Sequence, residues 1–188
     1  MVGLPYREPK PRLRPWDGEG CFALDYLRSE DTLEPRRALV RAVTAGDALA
    51  LDLAARVVAD ALTDRARLSG PSTGAVLVTV PGHVANPVRE PLEELSRLLA
   101  GLLPGVRHQP GALRRTATIR RSAAAVKRPS VGEHVQTLTL RKLQPRQCVI
   151  LVDDVFSFGR TTDACRALVL DAGFPCVLVA ALARTKLP

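Results

Sequence analysis

Residues 148–162, CVILVDDVFSFGRTT, join an apolar run, a pair of carboxylates and a turn within fifteen positions. The run from Val149 to Val152 has the length and the β-branched character of a buried strand. Asp153 and Asp154 follow it directly. The residues after them include hydroxyl side chains and Gly159, which favours a turn. An apolar strand that leads through a polar turn into a helix is typical of parallel α/β sheets, in which ligands bind beyond the carboxyl ends of the strands.

Apolar runs and amphipathic helical patterns alternate along the rest of the chain. Residues 75–80 and 176–183 are apolar, strand-like runs, and 21–27 is a shorter candidate strand. Helices are predicted at residues 33–43, 44–67, 88–105, 130–136 and 161–173. This alternation predicts an α/β fold with an open, mainly parallel sheet covered by helices on both faces.

Two of the predicted helices carry specific expectations about their ends and faces. The helix over 44–67 is expected to begin with a capping box formed by Thr44 and Asp47, and the short helix with one formed by Ser130 and Glu133. The apolar residues that recur every fourth position of the longer helix are expected to face the core: Leu49, Leu53, Val57 and Ala61.

The length and composition of the chain favour one globular domain. The 188 residues suffice for a sizeable core, and we predict an irregular Pro- and Arg-rich arm at 1–20 before a single domain at 21–188. No apolar run approaches the roughly 20 residues of a membrane helix, and the start lacks an apolar signal-peptide core. A cytoplasmic protein without a membrane partner is therefore expected. The oligomeric state is left open, and a dimer is compatible with the sequence.

The four cysteines predict neither a zinc site nor a disulfide framework. They are scattered without any CxxC pair, and isolated cysteines of this kind are commonly buried thiols. These residues are Cys21, Cys148, Cys165 and Cys176. No protein-held metal site is predicted from the cysteines or from the three histidines.

The net charge of +8 is concentrated in one segment. Residues 107–146 contain ten Lys or Arg residues against one acid, Glu133, which is a charge of +9, so the rest of the chain is nearly neutral. Such a segment favours an anionic partner: a nucleic acid, a nucleotide or pyrophosphate. A solvated basic face that binds nothing is the alternative reading of the charge alone.

The turn after Asp154 has the properties of a phosphate site. A turn over 157–161 that opens a helix presents unpaired backbone N–H groups and the positive end of the helix dipole. Ser157 and Thr161 add hydroxyl donors. The two carboxylates suit a vicinal diol or a divalent cation, and a diol beside a phosphate describes a ribose 5-phosphate. Neither the Walker A pattern nor GxGxxG is present.

The stretch VILVDDVFSFGRT resembles the phosphoribosyl pyrophosphate motif of type I phosphoribosyltransferases. In that motif an apolar strand is followed by two acidic residues, two hydroxyl residues, Gly, any residue, and Thr or Ser. The wider arrangement, over about residues 22–185, resembles the ComF-like branch of this superfamily. Phe158 stands where the family has a second hydroxyl residue, which removes one side-chain donor to the phosphate. Cys21 stands alone, so the zinc ribbon that is frequent in that branch is not expected.

The resemblance implies roles for residues at three places in the chain. Asp153 and Asp154 would hold the ribose hydroxyls and act as the catalytic pair. The whole phosphoribosyl pyrophosphate-binding set would be Asp153, Asp154, Val155, Phe156, Ser157, Phe158, Gly159, Arg160 and Thr161. The pyrophosphate loop would contain Pro81, Gly82 and His83. A flexible loop over 107–128, mobile without ligand, would close on pyrophosphate with Arg114, Arg115, Arg120 and Arg121.

The activity implied by the resemblance is phosphoribosyl transfer with release of pyrophosphate, assisted by Mg²⁺. The sequence shows no obvious hood to hold an acceptor base, so two non-catalytic alternatives stay open. The protein would then sense phosphoribosyl pyrophosphate, or bind DNA through the basic segment in a competence-type role. Few aromatic residues are available as stacking platforms, which weighs against single-stranded nucleic acid.

Overall fold

The computed structural model describes residues 20–26, 34–69, 74–85, 89–119, 129–141, 143, 148–156, 159–174 and 177–185. The first nineteen residues of the predicted arm lie outside these ranges. The elements, in chain order, are β1 (Gly20–Tyr26), α1 (Glu34–Ala45), α2 (Ala48–Ser69), β2 (Ala75–Thr79), α3 (Glu90–Leu102), β3 (Val106–His108), β4 (Leu113–Arg115), α4 (Val131–Gln136), β5 (Leu138–Leu140), β6 (Cys148–Phe156), α5 (Arg160–Asp171) and β7 (Val177–Thr185).

Five strands form one parallel sheet in the order β1-β7-β6-β2-β3. All three apolar runs predicted to be strands are strands, and the shorter candidate at 21–27 is β1. The two central strands, β6 and β2, pair from Ala75↔Cys148 to Thr79↔Val152. Parallel neighbours need crossover connections, which here are made by helices. The predicted α/β fold with an open parallel sheet is confirmed.

Alternate residues of the central strands supply two separate cores. Leu77, Ile150 and Val152 face α1, α2 and α3 on one side of the sheet. Val78, Val149 and Leu151 face α5 and the small β4–β5 sheet on the other side. This is the period-two pattern of a strand buried on both faces, and it explains why these strands read as continuous apolar runs.

The chain crosses the sheet on opposite faces from its two central strands. After β2 it passes through α3, which packs in the first core, and continues to the edge strand β3. After β6 it passes through α5, which packs in the second core, and continues in the other direction to β7. The strand order therefore reverses between β2 and β6. A crevice forms at such a switch point, at the carboxyl ends of the two strands, and this is where ligands bind in open α/β sheets.

The two helices predicted to meet near Thr44 are confirmed, but the capping box predicted for Thr44 and Asp47 is wrong. Thr44 lies in the last turn of α1 and donates its hydroxyl to Val40 O at 2.8 Å. Gly46 interrupts the helix with φ 82°, a conformation that glycine adopts without steric cost. Asp47 precedes α2 and accepts from Ala50 N at 2.8 Å, so it caps the second helix by itself.

The predicted buried face of the long helix is confirmed at Ala61 and Val57, which lie in or against the core, but it is wrong near the start of the helix. Leu49 is 84% exposed and Leu53 is 40% exposed, so neither is part of the core. Small residues take their place, because α2 packs closely against α3 and the sheet. The buried residues of α2 are Ala50, Leu51, Ala54, Ala55, Val58, Ala59, Ala61 and Leu62.

The basic segment contains three strands that the sequence analysis did not predict. β3 extends the main sheet, while β4 and β5 pair antiparallel from Leu113↔Leu140 to Arg115↔Leu138. The expectation of one continuous flexible loop over 107–128 is therefore wrong for its first part, since 106–108 and 113–115 are hydrogen-bonded strands. Each is only three residues long, which is too short for a recognisable period.

The remaining local expectations about helix ends hold. Ser130 accepts from Glu133 N at 3.2 Å, and Glu133 accepts from Ser130 N at 2.7 Å, so α4 begins with the predicted capping box. Gly173, with φ 87°, follows the end of α5 as predicted. Cys165 is buried and Cys148 is half-buried, and both are free thiols. Among the described residues, no helix is both long and apolar enough to cross a membrane.

Candidate functional site

Asp153 and Asp154 lie beside the crevice between the two central strands. The pairing of β6 with β2 ends at Val152↔Thr79, whereas its pairing with β7 continues to Phe156↔Arg184. The apolar run predicted that the carboxylates follow the end of the strand. They lie within β6 instead. Because β2 has already ended at this level, one edge of β6 is uncovered there. Both side chains reach Arg89, which follows β2 in the chain.

Arg89 bridges the two carboxylates. Its two terminal nitrogens bind different residues: one lies 3.0 Å from Asp153 Oδ1 and the other 2.5 Å from Asp154 Oδ2. Arg89 is the residue immediately before α3, and its guanidinium is mostly removed from solvent, as are both carboxylates. These three side chains are called the Arg89 bridge below. Paired charges with this fork geometry are among the stronger polar contacts in proteins.

Backbone contacts orient both carboxylates toward the crevice. Asp153 Oδ1 also accepts from Asp154 N at 2.9 Å, and Asp154 Oδ1 accepts from Val155 N at 2.8 Å. Thr44, at the end of α1, lies within 3.4 Å of Asp154 Oδ2. The positions of the carboxylates are thus set by their own strand, by α1 and by the residue before α3.

The two adjacent carboxylates differ in acidity because their surroundings differ. Burial, together with the negative charge of Asp154, raises the pKa of Asp153 to about 7, against the opposing effect of Arg89. Burial opposes ionisation of Asp154 too, but the charge and hydrogen bonds of Arg89 outweigh it and hold the pKa of Asp154 below its ordinary value. Near neutral pH, Asp153 is therefore close to its titration midpoint and Asp154 is ionised.

The start of α5 follows the end of β6 closely in the chain, with Gly159 three positions after Phe156. Gly159 occupies the N-cap position with φ 71°, and a Cβ there would lie 2.6 Å from Phe156 Cζ, so glycine is required. The first-turn amides of α5 lack partners within the helix, as at any helix N-terminus. Arg160 donates to Pro129 O at 2.9 Å, and Thr161 Oγ1 lies 3.4 Å from His134 Nδ1.

The segment after β2 is held in place by the β4–β5 region. Val80 N donates to Val152 O at 2.9 Å, which keeps the segment beside β6. His83 O accepts from Ile119 N at 2.9 Å, and Ala85 N donates to Thr118 Oγ1 at 3.0 Å. The loop predicted to meet pyrophosphate therefore contacts the same basic segment that was predicted to close over it.

Arg115 connects the small β4–β5 sheet to the loop after β2 and to α4. It is only 2% exposed and donates to Gly82 O at 2.5 Å, to Thr137 Oγ1, and to His134 Nδ1 at 3.3 Å. Burial lowers the pKa of Arg115 from its ordinary value. Because a guanidinium can only donate, His134 Nδ1 must accept, which makes His134 the neutral Nε2–H tautomer. Burial and the neighbouring Arg115 lower the pKa of His134 accordingly.

A cavity of about 260 Å³ lies beside the Arg89 bridge, on the side of the first core. Its wall combines apolar side chains with the hydroxyl of Thr44 and the carboxylates of Glu90 and Asp154. The residues that line it are Val43, Thr44, Arg89, Glu90, Pro91, Leu92 and Asp154. It provides room for a group to move next to the carboxylates.

A further carboxylate, that of Glu93, is the centre of a hydrogen-bonded cluster at the carboxyl end of β2. Glu93 accepts from Thr79 Oγ1 at 2.7 Å and from Gly111 N at 3.0 Å, and lies 2.6 Å from His108 Nε2. Burial opposes its ionisation, but these hydrogen bonds outweigh it and hold the pKa of Glu93 below its ordinary value. The cluster joins β2, α3 and β3, and it stabilises the carboxyl end of β2.

The structure brings together part of the predicted set and separates the rest. Asp153, Asp154 and the start of α5 lie at one end of the sheet, as does the loop with Pro81, Gly82 and His83. Val155 and Phe156 belong to β6, and the Phe156 side chain is buried in the second core. Of the predicted loop arginines, Arg114 is exposed and Arg115 is buried. Four predicted site residues lie outside the described residues: Ser157, Phe158, Arg120 and Arg121.

The sequence analysis missed Arg89, although the topology supplies a signal for it. Arg89 lies 64 positions before Asp153 and belongs to no motif. Since β2 and β6 are parallel neighbours, the segment after β2 must begin near the carboxyl end of β6. A cation within that segment was therefore a candidate partner for the two adjacent carboxylates.

The arrangement offers hydrogen-bond acceptors for hydroxyl groups next to amide donors for an anion. Two carboxylates, a helix N-terminus and a loop meet at one end of the sheet, with a cavity beside them. Comparison with models of known protein families gives no match to this chain, and comparison with curated proteins gives none either.

Proposed function

We propose that the protein binds phosphoribosyl pyrophosphate, or a nucleotide with a ribose 5-phosphate, at the carboxyl end of β6. The observation that carries the proposal is the adjacent pair Asp153 and Asp154, which lies at the point where the strand order reverses and is held together by Arg89. Carboxylates accept hydrogen bonds from the hydroxyls of a vicinal diol.

The start of α5 supports the phosphate part of the proposal. The helix has twelve residues, and its first-turn amides and dipole favour an anion. Gly159 keeps the approach to these amides free of a side chain. A ribose that places its hydroxyls on the carboxylates would direct its 5-phosphate toward this helix end.

Mg²⁺, which the resemblance implies, does not fit here as an ion held by side chains alone. Carboxylate oxygens are suitable ligands for it, but the Arg89 bridge engages both Asp153 and Asp154. The described part of the chain contains no group of three or more His, Cys, Asp or Glu residues arranged to hold a metal. We therefore propose that any Mg²⁺ enters with the pyrophosphate of the ligand.

Transfer of the phosphoribosyl group with release of pyrophosphate is the reaction that such a complex would support. Positive charge would develop at the anomeric carbon and negative charge on the departing pyrophosphate. Nearby carboxylates would favour the former, and the amides and arginines around the crevice the latter. An assay for released pyrophosphate in the presence of candidate acceptors separates a transferase from a protein that only binds the ligand.

The proposal is tested by titrating the protein with phosphoribosyl pyrophosphate and Mg²⁺ in a calorimeter. Changing Asp153→Asn together with Asp154→Asn is expected to weaken binding at least tenfold, about 1.4 kcal/mol, because charge-assisted hydrogen bonds contribute more than neutral ones.

The matched control is Asp52→Asn with Asp60→Asn on the outer face of α2, which removes the same charge far from the crevice. This control is expected to bind like the unchanged protein. Equal affinities for all three proteins would contradict the assignment of the ribose site.

A further inference from the structure

We propose that Arg89 changes its ion-pair partners when the ligand binds. It pairs with Asp153 and Asp154 in the free protein, and with an anionic group at C1 of the ribose in the complex. The inference rests on the proposed function and narrows its ligand class. The site would select riboses that carry a phosphate or pyrophosphate at C1 over riboses that carry only a 5-phosphate.

The first step is a competition for the same oxygens. Arg89 occupies Asp153 Oδ1 and Asp154 Oδ2, while the other oxygen of Asp154 already accepts from its own backbone. Both oxygens of Asp154 are therefore engaged, and a vicinal diol that binds both carboxylates competes with the guanidinium for Asp154 Oδ2. Diol binding at Asp154 displaces Arg89 from this oxygen.

Opening the Arg89 bridge costs free energy unless the guanidinium finds another anion. A buried guanidinium that loses both carboxylates and gains no new anion is an unpaired charge, which is strongly unfavourable. A ligand with a diol alone leaves Arg89 in this condition. A ligand with an anion next to the diol gives the guanidinium a second partner, so the exchange leaves every charge paired.

The third step is the space and direction of the movement. The 260 Å³ cavity borders Arg89 directly, and the Arg89 stem also lies against the loop that follows β2. A Cβ added to Gly82 would lie 3.6 Å from Arg89 Cδ, so backbone and side chain approach closely there. Arg89 therefore borders the cavity on one side and the loop on the other, and a rotation of its side chain would bring the guanidinium to a pyrophosphate held at the loop.

Removal of the guanidinium is therefore expected to change the affinities for the two ligands in opposite directions. In Arg89→Met, binding of phosphoribosyl pyrophosphate is expected to weaken by about tenfold or more, since its charged partner is gone. Binding of ribose 5-phosphate is expected to improve by about threefold, because no internal cation has to be displaced. If Arg89 only held the site together, its replacement would weaken the binding of both ligands.

The experiment measures the affinities of both ligands, by calorimetry at one pH and salt concentration, for the unchanged protein, Arg89→Met and the control Arg97→Met. Arg97 lies on the same helix, is exposed and pairs only with Glu94 among the described contacts, so its loss should alter neither affinity. Circular dichroism confirms that each variant is folded.

Arg89→Lys is the second variant, for use if Arg89→Met does not fold. It keeps one charge but cannot span both carboxylates, so the preference for phosphoribosyl pyrophosphate over ribose 5-phosphate should fall in the same direction. Equal changes for the two ligands, or no change for either, would overturn the exchange and leave the proposed function in place. If the unchanged protein binds neither ligand, the proposed function itself fails.

Discussion

Asp153 and Asp154 are chemically identical neighbours, yet the folded protein gives them opposite acidities. Asp153 is more deeply buried and close to a second negative charge, whereas Asp154 gains the stronger contact with Arg89. At neutral pH, Asp153 is therefore protonated in about half of the molecules, while Asp154 is ionised. The difference belongs to single residues, because it arises from burial and contacts within a few ångströms.

The raised pKa of Asp153 predicts a pH-dependent stability. Between its unfolded pKa near 4 and its folded pKa of about 7, the folded protein retains a proton that the unfolded chain has released. Stability is therefore lost as pH rises through this window, by at most about 1.4 kcal/mol per pH unit. Between pH 5 and 7, we expect the unchanged protein to lose about 2 kcal/mol relative to Asp153→Asn, measured by urea unfolding.

Two features of the chain make this difference specific to Asp153. The lowered pKa of His134 makes the folded protein more stable as pH rises toward the ordinary pKa of histidine, which is the opposite trend. Because both proteins contain His134, its effect cancels in the comparison. Asp52→Asn is the control, since Asp52 is exposed and its pKa is lowered, which places its titration below the window. A pH profile of Asp153→Asn parallel to that of the unchanged protein would contradict the raised pKa.

At the scale of elements, the strand β4 presents two consecutive arginines to opposite environments. Arg114 points outward, whereas Arg115 is buried and joins β4 to the loop after β2 and to α4. The original expectation assigned both to ligand closure. Successive side chains of a strand point to opposite faces, and on β4 one face is exposed and the other is buried, so only Arg114 is free to meet a ligand from solvent.

Arg115→Met is expected to destabilise the protein by about 3 kcal/mol, because it leaves buried acceptors on Gly82, His134 and Thr137 without a donor. Arg114→Met, on the exposed side of the same strand, should change the free energy of unfolding by no more than about 0.5 kcal/mol. Chemical denaturation measures both. Similar losses for the two variants would show that Arg115 does not hold these elements together.

At the scale of the whole molecule, the question is whether the basic segment and the carboxylate site serve the same ligand. The segment carries the excess of positive charge, yet its residues divide between exposed positions, such as Arg107 and Arg141, and the buried Arg115. A DNA-binding role would depend on the exposed group. A role in the crevice would depend on residues that reach the carboxyl ends of β2 and β6.

Arg107→Ser with Arg141→Ser separates these roles. We expect the affinity for phosphoribosyl pyrophosphate to stay within about twofold, because neither residue belongs to the Arg89 bridge or the start of α5. If the segment binds DNA, the same variant should bind DNA more weakly, with a slope of log affinity against log salt that is shallower by up to about 2. A loss of affinity for phosphoribosyl pyrophosphate with unchanged DNA binding would contradict this separation of the exposed arginines from the carboxylate site.

The sequence by itself determined the elements that carry a strong local pattern. Apolar runs of four or more residues became the strands β2, β6 and β7, and capping residues and glycines marked the ends of α4 and α5 correctly. Burial on both faces or a local hydrogen bond is enough to produce these features, and both are encoded within a few neighbouring positions. The carboxylate pair could be recognised for the same reason, since its chemistry is contiguous in the chain.

Only the tertiary structure decided which distant residues meet. The exposed Leu49, the burial of Arg115 and the bridge from Arg89 to Asp153 all depend on which elements pack together, and no local period contains that information. Small alanines could replace leucines in the face of α2 because α3 and the sheet approach it closely. Arg89 reached the carboxylates because two strands far apart in the chain became parallel neighbours. Strand order, and not sequence pattern, therefore set the partners of the candidate site.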